Sequence, residues 1–363
     1  MGRFFDLVTE SARSAGPNAK TTPDQSSGLI KLNANESVYG PSPKALAGMR
    51  TALKNSNLYP DNDSPTLREK LAQKHGVAPE QIVVGNGTTA LLGVIARTLL
   101  QSGRNAVTSA CSFISYPAVT QTACARLIDV PLLARGFDLD GILKAIDVNT
   151  RIVFLANPNN PTGSFLDAAS IDSFLDKVPQ HVVVVLDEAY FDYAQYFAQK
   201  RGVEYSHALE YVRDNRNVLV LRTFSKAHGL AGVRVGYAMG PAELVSYIAQ
   251  LQEVFALSTI AQAAALAAID DEDHIQRALR NNAEQAERME QKLRDLAYDV
   301  LPTWTNFIAI EVGKDSREFA RRLRKQGVLV RPLGPWGAPT SIRVTLGTPE
   351  QNQFFVQALA SAK

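Results

Sequence analysis

An acid that ends a continuous apolar run sits where open α/β sheets bind their ligands, and Val182-Val183-Val184-Val185-Leu186-Asp187 is such a run. A carboxylate there needs a partner, so Asp187 could bind a metal, act as a base or pair with a cationic ring nitrogen. A second run, Ile152 to Ala156, leads into Asn157-Pro158-Asn159-Asn160-Pro161-Thr162-Gly163, whose turn-forming residues would bring the Asn160 amide to the same edge. A third, Val218 to Leu221, ends in Arg222-Thr223-Phe224-Ser225-Lys226, with Arg234 farther along. A lone lysine after a strand is usually a solvated cation, but here three strands deliver polar side chains to one edge. Gly85-Asn86-Gly87-Thr88-Thr89-Ala90 formally matches a dinucleotide fingerprint, which also wants an acid about 20 positions on. Val107-Thr108-Ser109-Ala110 supplies none before Asp129, so a dinucleotide is disfavoured. Glycines and free N–H groups at a helix start still suit a phosphate.

These residues need a scaffold. Gln81 to Val84 reads as a strand feeding a helix over Ala90 to Leu100, and Asn105 to Thr108 is a further strand. Continuous apolar strands are expected where helices cover both sheet faces, so the middle of the chain reads as an α/β unit with a largely parallel sheet. Ala261 to Leu296 reads as long, charged and helical, able to bridge to a smaller α+β unit. That unit would hold Asn306 to Val312, a helix near Ser316 to Gln326, and strands at Val328 to Arg331 and Ser341 to Thr345. The domains expected are an arm with part of the small domain over 1–43, a large domain over 44–260, and a small domain with the bridging helix over 261–363.

Composition narrows the class. Lys and Arg number 38 against 36 Asp and Glu, too balanced for nucleic acid or a membrane surface to be the expected partner. The two cysteines, Cys111 and Cys124, exclude a disulfide framework, and the start Met1 to Leu7 lacks the apolar stretch of a secretory signal. A cytoplasmic protein is expected. The five histidines show no ligand spacing, so no metal is expected, and only His228 falls near the candidate site, where packing or support from behind the site's own residues is its expected role. Trp304 and Trp336 read as core or interface aromatics.

Asn-Pro-Thr-Gly, then Asp-x-x-Tyr, then Ser-Lys with an arginine eight residues beyond, is an ordered series that resembles the fold-type I pyridoxal-phosphate enzymes, specifically the class I/II aminotransferases. Within them the chain is most similar to the histidinol-phosphate aminotransferase subfamily, through Leu32-Asn33-Ala34-Asn35-Glu36, Tyr59-Pro60-Asp61, Leu67 to Ala72, Val328 to Leu333 and Ser341 to Thr348. The resemblance implies a seven-stranded-type sheet and pyridoxal 5'-phosphate as cofactor. It also implies a homodimer with shared sites, and transfer of an amino group between histidinol phosphate and a 2-oxo acid, with glutamate and 2-oxoglutarate as partners. An aromatic or other amino-acid aminotransferase, or a decarboxylase of the same fold, is the alternative.

Carried over residue by residue, the resemblance implies that Lys226 holds the cofactor and, once freed, moves the α-proton. Asp187 would keep the ring nitrogen protonated, Asn160 and Tyr190 would donate to the ring oxygen, and Phe113 would stack on the ring. Gly87, Thr88, Thr223, Ser225 and Arg234 would hold the phosphate, and Tyr59 would reach it from the other subunit. Arg343 would clamp the substrate carboxylate, Arg331 would meet the substrate phosphate or side chain, and Asn35 would line the substrate side.

Overall fold

Strands β2 (Ile82–Gly85), β3 (Asn105–Ser109), β4 (Arg126–Val130), β5 (Thr150–Ala156), β6 (Val183–Asp187), β7 (Val218–Thr223) and β8 (Gly236–Met239) form one sheet in the order β2-β8-β7-β6-β5-β3-β4. β1 (Ile30–Lys31) lies outside it. A computed structural model describes residues 7–9, 12–13 and 28–362, so most of the expected arm lies outside the described residues. Neighbours from β4 to β7 pair in parallel, and only β8 runs against the rest, antiparallel to both β7 and β2. The mostly parallel, helix-covered seven-stranded sheet is therefore as expected.

The central strands are apolar along their length because both faces are covered: Ile152 to Leu155, Val184 to Leu186 and Val218 to Leu221 are all buried in the larger core. Two strands carried no such signal. β4 is an edge strand with exposed Arg126 and Asp129, and β8 is short and opens on a glycine. A methyl on Gly236 would come 2.9 Å from the Thr88 nitrogen, so the glycine permits β8 to pass beneath the start of the helix Gly87–Leu99.

The helical stretch expected over 261–296 is two helices, Thr259–Ile269 and Glu272–Asp295. The first is rich in alanine and packs closely on the helix Pro43–Ala52, where a methyl on Gly48 would come 3.0 Å from the Ala263 carbonyl oxygen. Its buried residues belong to the larger core, so the change of core comes after Ile269 rather than at 261. The second helix contributes Ala283, Ala286, Met289 and Leu293 to a separate core.

That core is built on β9 (Phe307–Glu311), β11 (Arg331–Pro332) and β12 (Ser341–Thr345), an antiparallel sheet in the order β11-β12-β9. β1 is sewn to it through a parallel pair with β10 (Val328–Leu329), and Thr345 donates its N–H to the Leu32 carbonyl at 2.8 Å. Residues near the chain start are thereby fastened beside residues near its end. Among the described residues, no helix is long and apolar enough to cross a membrane.

Candidate active site

The strand order places the carboxyl ends of β5, β6 and β7 side by side, the edge at which parallel sheets bind ligands. A cavity of about 480 Å³ opens there between the two cores. It is lined by Asn160 after β5, Asp187 at the end of β6, Thr223, Ser225 and Lys226 around the end of β7, and Phe113 after β3. Asn35, Thr88, Tyr190, Arg234, Arg331 and Arg343 complete the set of expected residues on its wall. Of the residues expected at the site, only Gly87 and Tyr59 are missing from that lining.

Gly87 lies immediately behind it. The glycine opens the helix Gly87–Leu99 at φ +77°, and a methyl there would overlap the Arg234 guanidinium. Asn86 makes no side-chain cap, so the first amides of this helix remain available for an anion. Arg234 donates to Ser225 Oγ at 3.3 Å, and Thr223 Oγ1 donates to the same hydroxyl at 3.0 Å. Hydroxyls, amides and one guanidinium thus converge as a phosphate would require.

Asp187 is 3% exposed. One carboxylate oxygen accepts from the Ala189 N–H and the other from the Tyr116 hydroxyl, both at 3.1 Å. Burial nevertheless outweighs these bonds and pushes the carboxyl up to about 6. No cation forms an ion pair with it among the described residues, and a positively charged ring nitrogen is the kind of partner that would offset its burial.

Lys226 donates to the Asn35 carbonyl oxygen at 3.2 Å. Burial first, then the Arg343 charge, lowers its ammonium to about 8, which keeps a useful fraction of free amine near neutral pH. Asn35 also donates through its side-chain nitrogen to the Tyr190 hydroxyl at 2.8 Å. Asn35 is held by the Thr345 hydroxyl, which accepts its N–H at 2.9 Å, so the smaller unit positions one wall of the site.

Arg343 and Arg331 are cross-strand partners on β12 and β11. Both guanidiniums donate to the Asn33 carbonyl at 3.2 Å, and Arg343 also donates to Asn160 Oδ1 at 2.5 Å. Arg343 Nε is buried and finds no hydrogen-bond partner among the described residues, and burial lowers the group to about 10. Two adjacent cations with an idle donor form a site for an anion with two or more oxygens.

Tyr59 is 82% exposed and stacks on Phe255, ring centres 4.6 Å apart, away from the cavity of its own chain. His228 packs on Phe224, in keeping with the role expected of it. Trp336, expected as a core or interface aromatic, instead lines the cavity, as do Glu36 and Ile114. Sequence reasoning also missed Tyr116, although it stands three residues after Phe113, and the buried pair between Glu188 and Arg222.

That pair lies directly behind Asp187 and Thr223. Arg222 donates through Nε and Nη2 to one Glu188 oxygen at 2.9 and 2.7 Å, and Ser206 donates to the other at 2.5 Å. Neither side chain reaches solvent appreciably. Arg222→Met would strand the carboxylate, and unfolding by denaturant should show a loss of about 3–5 kcal/mol. Most of it should return in the Arg222→Met, Glu188→Leu double variant.

Comparison with known proteins agrees with this geometry. The family described as aminotransferase class I and II matches residues 27–359. The chain is 41% identical over 332 residues to histidinol-phosphate aminotransferase 2 of Pseudomonas fluorescens, covering 92% of this chain and 88% of the relative. It is 40% identical over 332 residues to histidinol-phosphate aminotransferase of Moorella thermoacetica, covering 91% and 84%. Among solved structures, histidinol-phosphate aminotransferase from Sinorhizobium meliloti in complex with pyridoxal-5'-phosphate superposes with a TM-score of 0.88 at 29% identity, over 99% of this chain and 98% of that one. A Thermus thermophilus aspartate aminotransferase, at 22% identity and a TM-score of 0.86 over 98% and 99% of the two chains, shares the fold.

Proposed function

The chain belongs to the class I and II aminotransferases, and from that premise we propose that it moves the amino group of histidinol phosphate to a 2-oxo acid, with 2-oxoglutarate and glutamate as the partner pair, using pyridoxal 5'-phosphate. The observation that carries the reading is one cavity holding Lys226, Asp187 and the paired Arg331 and Arg343.

When bound, pyridoxal phosphate supplies an electron sink for the pair left by the broken Cα–H bond. The chain's own residues fit that group. The amides of Gly87 and Thr88, the Thr223 and Ser225 hydroxyls and Arg234 would hold its phosphate, and Asp187 would give the ring nitrogen a buried counter-charge. The Asn160 carbonyl accepts from Arg343, so its NH2 end would be the one to donate to the ring oxygen beside Tyr190. Lys226 would attach the group covalently and, as a free amine, would carry the substrate α-proton.

Histidinol phosphate bears its negative charge on a phosphate and glutamate on carboxylates, and guanidinium forks accept either. Arg331 and Arg343 therefore serve both half-reactions. Arg343→Lys should raise KM for both substrates roughly 10- to 100-fold, because a point charge cannot replace a planar double donor. Steady-state kinetics with each substrate varied would show it.

The stacked Tyr59 and Phe255, with Leu58 and Val254 exposed beside them in the chain, form an apolar surface that a second copy would cover. A homodimer would bring Tyr59 to the partner's cofactor phosphate. Both cysteines are free, which suits the reducing cytoplasm proposed for it.

The test is a half-reaction. Histidinol phosphate should convert the bound cofactor to its amine form, and 2-oxoglutarate should restore it. Conversion by an aromatic amino acid with none by histidinol phosphate would favour the other substrate class. Release of carbon dioxide from an amino acid would make it a decarboxylase.

A further inference from the structure

Tyr116 is buried, does not line the cavity and has no part in the chemistry above. It lies in the helix Ser115–Thr122, and three contacts fix it. Its ring stacks on Phe154 of β5, centres 4.6 Å apart and 7° from parallel. It meets Phe113 in a T-shaped contact, centres 5.6 Å apart and planes at 82°. Its hydroxyl donates to Asp187 Oδ2 at 3.1 Å. One side chain thus joins the carboxylate proposed to meet the ring nitrogen to the aromatic wall proposed to face the ring.

From this geometry we infer that Tyr116 is a positioning residue, which holds Asp187 ionised and aimed at the cofactor ring and sets the tilt of Phe113. The inference rests on the function proposed above. A phenol serves here because it donates one hydrogen bond and gives up no proton. Burial and the neighbouring Asp187 charge hold Tyr116 well above the usual phenol range, so the bond runs from neutral donor to anionic acceptor throughout neutral pH. Its effect on Asp187 opposes burial and the adjacent Glu188, and adds to the Ala189 N–H and the Lys226 charge. Tyr190 and Tyr205 also face the carboxylate, and both are neutral phenols held protonated by burial. Stacking on Phe154 ties the donor to the same sheet that carries the acceptor, so the two move together.

Tyr116→Phe keeps the ring and both aromatic contacts and removes only the donor. A hydrogen bond to a charged group is worth roughly 10- to 100-fold in equilibrium. The Asp187 titration midpoint in cofactor-free protein, read by carboxyl carbon NMR and assigned with Asp187→Asn, should therefore rise by about one unit or more. The cofactor dissociation constant should rise roughly tenfold, and kcat should fall with KM unchanged, since Tyr116 touches no substrate. An unmoved midpoint overturns the assignment. If Tyr116→Phe does not fold, 3-fluorotyrosine at position 116 gives the opposite test: a more acidic phenol donates more strongly and should lower the midpoint, and no shift overturns the assignment. The carboxyl titration needs no cofactor or substrate. A wild-type protein that fails the histidinol phosphate half-reaction therefore overturns the proposed function, while the titration still decides the role of Tyr116.

Discussion

Lys226→Ala removes turnover: kcat should fall by roughly ten-thousand-fold or more, since the attachment point and the proton carrier are lost together. The fold should survive. Among the described residues the Lys226 ammonium makes one hydrogen bond, to a backbone carbonyl that also accepts from Asn306 at 3.1 Å, so that acceptor keeps a partner. Removing a half-buried cation whose charge is already disfavoured also relieves desolvation. Cofactor should still enter through the phosphate contacts, but dialysis should wash it out and its long-wavelength absorbance should be absent. A Lys226→Ala protein with the wild-type spectrum and rate would remove the basis of the assignment.

Asp187→Asn separates charge from shape and should act in opposite directions on catalysis and stability. Turnover should fall roughly a thousand-fold, the scale of losing a preorganised charge at a reacting centre. In cofactor-free protein the carboxyl titrates near 6 rather than 3.8, because burial favours its neutral form. A raised folded value means that its contribution to stability is present below pH 3.8 and is lost as pH rises through about 6. The variant carries no such charge. Relative to wild type it should gain stability between pH 4 and pH 7 by up to about 3 kcal/mol, read from denaturant midpoints of both apoproteins across that range. Saturation with cofactor should cancel the gain, because only the wild type can form an ion pair with the ring.

Asp187, Asn160 and Lys226 were legible because each ends or follows an apolar strand, and a strand boundary is written in adjacent residues. The arginine pair was legible only as two separate basic positions. Their cross-strand register was not, because antiparallel pairing on an edge strand two residues long leaves no local pattern. The strand β8 was missed for a similar reason, its role resting on how closely a glycine backbone can pass under a helix.

By itself, the sequence determined the chemistry available to this protein: an amine, a carboxylate, an amide and guanidiniums, and the sheet edge to which most of them belong. Burial along a strand is a local property that alternates, or fails to, within a few residues. Tertiary structure alone decided which neutral groups attend those charges. Tyr116 meets Asp187 across 71 positions of chain and Asn35 meets Tyr190 across 155. Arg343 reaches Asn160 across 183. Such contacts depend on how two cores close on one cavity, and the free energy that closes them is spread over many apolar contacts rather than carried by the residues that meet there.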